Sequence, residues 1–178
     1  MKKVLLLVLV AFISTAMSAQ LVTSTTVIKG KKSSTDSGMF MEVGIGTLGS
    51  DWEGDGIALD LGLGYRKGFN ENFAWDVLKV KAIAELANFG ESLTPQVMTG
   101  IRATSPALIG DMTAFGSFSL GYGYNVDVEE GGFAYEIQAG LNITSKLYAG
   151  IVYDNQSISF DGGNANVSFT GLRLGLRF

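Results

Sequence analysis

A chain of 178 residues has the length of one domain. It is 47% hydrophobic and only 17% charged, where a soluble domain carries roughly 25%, and it holds 24 glycines against 2 prolines, a balance that suits many strands and few helices. With no cysteine and no histidine it can form neither disulfides nor thiolate metal sites and lacks the commonest general base; a net charge of −4 without a basic block argues against nucleic acid as a partner.

Residues 1–19 read as a cleaved secretory signal peptide. Lys2 and Lys3 form its positive end, residues 4–13 its apolar run, and Ala16-Met17-Ser18-Ala19 the small-residue site before Gln20. The run is shorter than the roughly 20 residues that a spanning helix needs. Residues 20–37 are polar, rich in Ser and Thr, and carry Lys29, Lys31 and Lys32; they read as a flexible periplasmic tail, with 22–28 as an optional edge strand.

Residues 38–178 then fall into eight segments of period two. In 39–48, Met39, Met41, Val43 and Ile45 oppose Phe40, Glu42, Gly44 and Gly46. In 57–66, Ile57, Leu59, Leu61, Leu63 and Tyr65 oppose Ala58, Asp60, Gly62, Gly64 and Arg66. Segment 73–87 begins with Phe73, Trp75 and Val77 on its apolar face and then changes phase, so that Val80, Ala82 and Ala84 oppose Lys79, Lys81 and Glu85. A β-bulge at Val77–Leu78 accounts for the slip. Segments 95–104, 112–126, 133–144 and 147–160 follow the same rule, with Arg102, Glu136 and Asp154 on their polar parity. The last segment is the cleanest: Leu172, Leu174, Leu176 and Phe178 oppose Gly171, Arg173, Gly175 and Arg177. Connections 67–72, 105–111 and 144–146 are expected as periplasmic turns. Connections 49–56, 88–94, 127–132 and 161–165, with Asp51, Glu53, Asp55, Asp127, Glu129 and Glu130, are expected as extracellular loops.

The polar parity collects Glu42, Asp60, Glu85, Glu136 and Asp154 together with Arg66, Lys79, Lys81, Arg102, Arg173 and Arg177. No charge falls on the apolar parity within a segment. A Lys or Arg facing lipid at the midplane costs about 2–4 kcal/mol, so this purge points to an apolar face in contact with outer-membrane lipid. Tyr65, Phe69, Phe73, Trp75 and Phe178 would gather at one rim, and Tyr124, Phe133, Tyr135 and Phe160 at the other, as interfacial rings do. The fold class is therefore all-β: an eight-stranded antiparallel up-and-down transmembrane β-barrel.

The leader, the eight alternating segments and the terminal Leu-Arg-Phe178 together resemble small outer-membrane β-barrel proteins of the OmpA/OmpX type. The resemblance covers residues 38–178 and implies a Gram-negative outer-membrane location. It also implies that Leu172, Leu174, Leu176 and Phe178 form the assembly signal read by the barrel-assembly machinery. The given chain ends at the barrel, so a peptidoglycan-binding domain is not expected on it, and the short loops weaken any adhesin role.

An interior of eight strands is just wide enough for its own side chains. Glu42, Asp60 and Glu136 are expected to pair with Arg102, Arg173, Lys79 and Lys81 as a polar plug, and the role is read as structural or surface-interacting. The alternatives are a narrow porin-like channel for small solutes or ions along those residues, and a soluble lipocalin-like barrel with the apolar parity turned inward around a ligand. Neither a cofactor nor a metal is expected; the acidic loop residues lack Ca²⁺-loop spacing. Barrel hydrolases that resemble this architecture use histidine, which is missing here, so the chain is read as no enzyme. Gly44-Ile-Gly46-Thr-Leu-Gly49 matches a dinucleotide pattern without the βαβ unit it requires. Asn142-Ile-Thr144, Asn155-Gln-Ser157 and Asn166-Val-Ser168 read as chance sequons.

Overall fold

The computed structural model describes residues 37–51, 55–87, 93–160 and 163–178. The expected signal peptide, the tail with its optional strand 22–28, and Glu53 lie outside the described residues, as does the side chain of Phe160. The strands are β1 (Gly38–Ser50), β2 (Gly56–Gly68), β3 (Phe73–Glu85), β4 (Leu93–Ile109), β5 (Met112–Asn125), β6 (Glu130–Asn142), β7 (Leu147–Phe160) and β8 (Gly163–Arg177). Each pairs antiparallel with the next, and β8 pairs with β1, from Phe40 opposite Arg177 to Ser50 opposite Val167. The sheet is a closed barrel without an edge.

Alternation decides which side chain goes where. Leu172, Leu174 and Ile151 are 58–66% exposed on the outer wall, while Arg173, between the two leucines, is 1% exposed at the centre. Ile137 likewise faces out, and its neighbours Glu136 and Gln138 are buried. A lipocalin-like barrel needs the opposite arrangement, with Leu174 and Ile137 inside, and is overturned on that ground.

The phase change in β3 is a bulge. Pairing with β4 steps from Asp76 opposite Gly100 to Lys79 opposite Met98, so Val77 and Leu78 share Thr99. The Thr99 hydroxyl fastens the site: it donates to the Asp76 carbonyl at 2.9 Å and accepts from the Trp75 indole at 2.8 Å. Without the extra residue, Lys79 and Lys81 would point at the surroundings, because a shift of one residue exchanges the two faces.

Strand ends differ from the sequence reading. The 105–111 connection contracts to Gly110-Asp111, because β4 runs on to Ile109 and pairs irregularly past Thr104. Pro106 has no amide to donate, yet the Ser105 hydroxyl accepts from the Ala114 amide and holds the hairpin together. Gly110, at φ 59°, supplies the left-handed conformation of the reversal.

The apolar core lies inside the barrel, toward the loop end. Leu48, Ala58, Ile83, Val152, Ile158, Val167 and Phe169 form one buried cluster there. On the outside of the same stretch, Thr47, Asn166 and Thr170 are exposed. Polarity therefore inverts along the strands: apolar outside and ionic inside near the middle, polar outside and apolar inside near the loops of β7, β8 and β1. Replacing Phe169 by Ala, which leaves a hole in this cluster, is expected to cost about 3–5 kcal/mol, read as a lowered urea midpoint of the strand circular-dichroism signal.

Candidate functional site

Below the apolar cluster, the inner wall carries an ionic layer contributed by six strands. Glu42 comes from β1, Asp60 from β2, Lys79 and Lys81 from β3, Glu136 from β6, Asp154 from β7 and Arg173 from β8; each is 1–2% exposed. Register explains the convergence. Gly44 stands beside both Asp60 and Arg173, and Gly62 beside both Glu42 and Lys81, so small residues separate the large ones and leave them room.

Arg173 is the hub. One of its terminal nitrogens lies 3.2 Å from Glu42, and the other lies 2.8 Å from Glu136 and also pairs with Asp60. Lys79 lies 2.8 Å from Glu42 and pairs with Glu136 as well. Lys81 reaches Glu136 at 2.8 Å, Asp154 at 3.1 Å and Asp60 at 3.4 Å. The Gln96 amide donates to Asp154 at 2.8 Å and continues the network onto β4. Every carboxylate faces more than one positive group or donor, the condition under which buried charge is tolerated.

A second layer closes the turn end. Arg66 pairs with Asp76 through both carboxylate oxygens, and its guanidinium carbon sits 4.6 Å from the centre of the Phe40 ring. Arg102 lies 3.4 Å over Phe115 and 4.6 Å from Tyr148, and it donates to Asn142 at 2.7 Å. Arg177 lies 5.1 Å from the Tyr148 ring and donates to the same Asn142 oxygen. Guanidinium groups stacked on ring faces are attracted electrostatically and hold their place by shape. Tyr148 joins the layers, because its hydroxyl donates to Glu42 at 2.8 Å. The Tyr148 ring occupies the space where a Cβ at Gly175 would stand, and the Phe40 ring occupies that of Gly64, so these glycines are steric partners of the rings.

Seven of the charges expected inside thus meet in one network: Glu42, Asp60, Lys79, Lys81, Glu136, Asp154 and Arg173. Three sit elsewhere: Arg102, Arg177 and Glu85. Arg102 was expected among Glu42, Asp60 and Glu136. Its register opposite Ala74 and Ser117 instead sets it in the turn-end layer, together with Arg177. Glu85 is half-buried at the loop end, beside Gly56, away from the central layer. Sequence reasoning missed Asp76, which it left out of the charge list, and the neutral partners Gln96, Asn142 and Tyr148. Asp76 shares the parity of Ala74 just before the phase change, and that was its only signal.

Leu172, Leu174 and Leu176 line the outer wall, and the Phe178 amide donates to the Met39 carbonyl at 3.0 Å, extending the seam to the last residue. Phe69 and Trp75 stack at 6.5 Å near the turn end, in the expected aromatic rim. Among the described residues no cluster of acidic side chains could hold a metal ion.

No protein-family model matches the chain, and no curated protein sequence does. Among solved structures it is similar to Neisserial surface protein A, with a TM-score of 0.54 at 8% identity over 79% of this chain and 96% of that one. It also matches the N-terminal β-barrel domain of Pseudomonas aeruginosa OprF, with a TM-score of 0.45 at 12% identity over 80% and 99% of the two chains. Ail of Yersinia pestis matches with a TM-score of 0.45 at 16% identity over 80% and 97%. The first of these likenesses is one of fold: a closed, all-antiparallel, eight-stranded β-barrel of the outer-membrane type.

Substituting Arg173 by Met would leave Glu42, Asp60 and Glu136 short of their shared cation at one stroke. The expected loss is about 3–5 kcal/mol in urea unfolding. Adding Glu136→Gln is expected to restore part of it, a non-additivity that a double-mutant cycle measures.

Proposed function

We propose that this protein is a non-enzymatic integral barrel of a Gram-negative outer membrane, with a structural or surface-interaction role and an interior shut by its own ionic network. One observation carries the reading: the charged side chains of the strand middles are gathered inside the barrel where water cannot reach them, and the middle of the outer wall is a continuous apolar belt. In water that distribution would be costly twice, once for the buried charge and once for the bare Leu, Ile, Val and Phe. In hydrocarbon the outer cost vanishes, and closure leaves no unpaired backbone edge.

The order of the chain supports the remainder. With eight strands, both ends of the barrel segment lie at the side of the short turns, which this reading assigns to the periplasm. Residues 1–19 would direct export. The strand ending at Phe178, with Leu172, Leu174 and Leu176, would be recognised by the barrel-assembly machinery. The acidic connections would then face the cell exterior and present the surface available to a partner.

Two measurements test the proposal. A Leu174→Arg substitution places a cation on the lipid-facing wall and is expected to cost about 2–4 kcal/mol of folding free energy in vesicles, while leaving the internal network untouched. In planar bilayers the wild-type barrel is expected to show no stable conductance steps, because Arg173, Lys79 and Lys81 fill the cross-section. Regular steps would establish the narrow channel in place of the plug.

A further inference from the structure

We propose that an uncharged ladder on the outer wall of β7, β8 and β1 docks the sugar headgroup of a membrane glycolipid, an inference that rests on the membrane reading above. The ladder is made of Thr47, Asn155, Ser157, Asn166, Ser168 and Thr170. Antiparallel register sets Asn155 opposite Ser168 and Ser157 opposite Asn166, so an amide meets a hydroxyl in both pairs. Thr170 stands between Tyr153 on one side and Thr47 on the other. The two Asn-x-Ser triplets that look like chance sequons in the sequence are thus one paired surface in the fold.

Its position identifies the depth. One step toward the turn end, the outer wall is Ile151, Leu172 and Ile45, all more than half exposed and fully apolar. The ladder starts where that apolar wall stops, at the level of headgroups, and is continuous with it. Tyr153 marks the border, its ring 6.1 Å from that of Tyr135. Aromatic rings of this kind settle at the interface and offer a face to the C–H side of a sugar ring.

Its chemistry identifies the class. Amides and hydroxyls both donate and accept, as sugar hydroxyls do, and none of the six is ionic. On a sheet they repeat at about 5 Å across strands and about 7 Å along a strand, spacings that neighbouring hydroxyls of a disaccharide can span. Charge argues against a phosphate. Connections 49–56, 88–94, 127–132 and 161–165 hold acidic residues and not one Lys or Arg. Asp51, at the edge of the ladder, accepts from the Asn166 backbone amide at 2.8 Å and from its side-chain amide at 3.3 Å, which leaves the Asn166 side-chain oxygen facing out, and it would repel an anion there. The ladder is also stiff: Val167, Phe169 and Ile158 back it from inside, so little order remains to be lost on docking.

The test uses the full barrel folded in detergent and offered equal amounts of digalactosyl diacylglycerol, phosphatidylcholine and phosphatidylglycerol with identical acyl chains. Native mass spectrometry counts the retained lipid. Wild type is expected to keep the digalactosyl lipid about fivefold over phosphatidylcholine, the worth of one net hydrogen bond or slightly more. Asn155→Ala with Asn166→Ala should abolish that preference, and Ser157→Ala with Ser168→Ala, a smaller excision, should reduce it. Equal retention of the three lipids, a preference for phosphatidylglycerol, a preference unmoved in both variants, or a dimer that buries the ladder against a second copy would each overturn the inference. Vesicle insertion is read in parallel: insertion without sugar preference overturns this inference alone, and failure to insert overturns the membrane reading as well.

Discussion

A peptide group in hydrocarbon has no water to bond with, so every amide and carbonyl of a spanning strand must find its partner in another strand. The pairing of β8 with β1 meets that demand, from Phe40–Arg177 to Ser50–Val167. Closure does more than satisfy the backbone. It creates an inside, and with it a place where Arg173, Lys79 and Lys81 can sit within reach of Glu42, Asp60, Glu136 and Asp154. The ionic layer could not exist on an open sheet of this sequence, because its members come from both sides of the seam.

The interior is filled by contrast in size. Large side chains from one strand lie over glycines of the next, as Tyr148 lies over Gly175 and Phe40 over Gly64. This explains why glycine is so abundant in strands, where it is intrinsically poor. It also explains how three arginines fit at one end of a narrow cylinder: Arg66, Arg102 and Arg177 are stacked on or beside the rings of Phe40, Phe115 and Tyr148. Charge and packing are the same contacts there.

Strand number, inward and outward faces and the β3 bulge were legible because each is a local matter of parity. Lys79 and Lys81 could be placed inside from the phase change alone. Partners were less legible. Arg66 meets Asp76 and Arg102 meets Asn142 through register, which depends on turn lengths and the bulge rather than on any single strand. The length of β4 was hidden by Ser105-Pro106, a pair that reads as loop; the Ser105 hydroxyl accepts from the Ala114 amide and ties this end of β4 to β5.

The loop end of β7 and β8 was hidden for a different reason. A rule that assigns every apolar parity to lipid assumes one environment along the whole strand. Beyond Tyr153 and before Thr170 the apolar residues Ile158, Val167 and Phe169 have changed parity, and the outward positions hold Asn, Ser and Thr. That pattern is an ordinary water-soluble hairpin joined without a break to an inside-out one. The pairing runs on without a shift while the surroundings change, and the side chains record the change. On β7, β8 and β1 the apolar-to-polar boundary can therefore be located to within a residue or two, between Leu172 and Thr170 on one strand and between Ile45 and Thr47 on its neighbour. The strands continue past that boundary as a wall with a packed apolar interior.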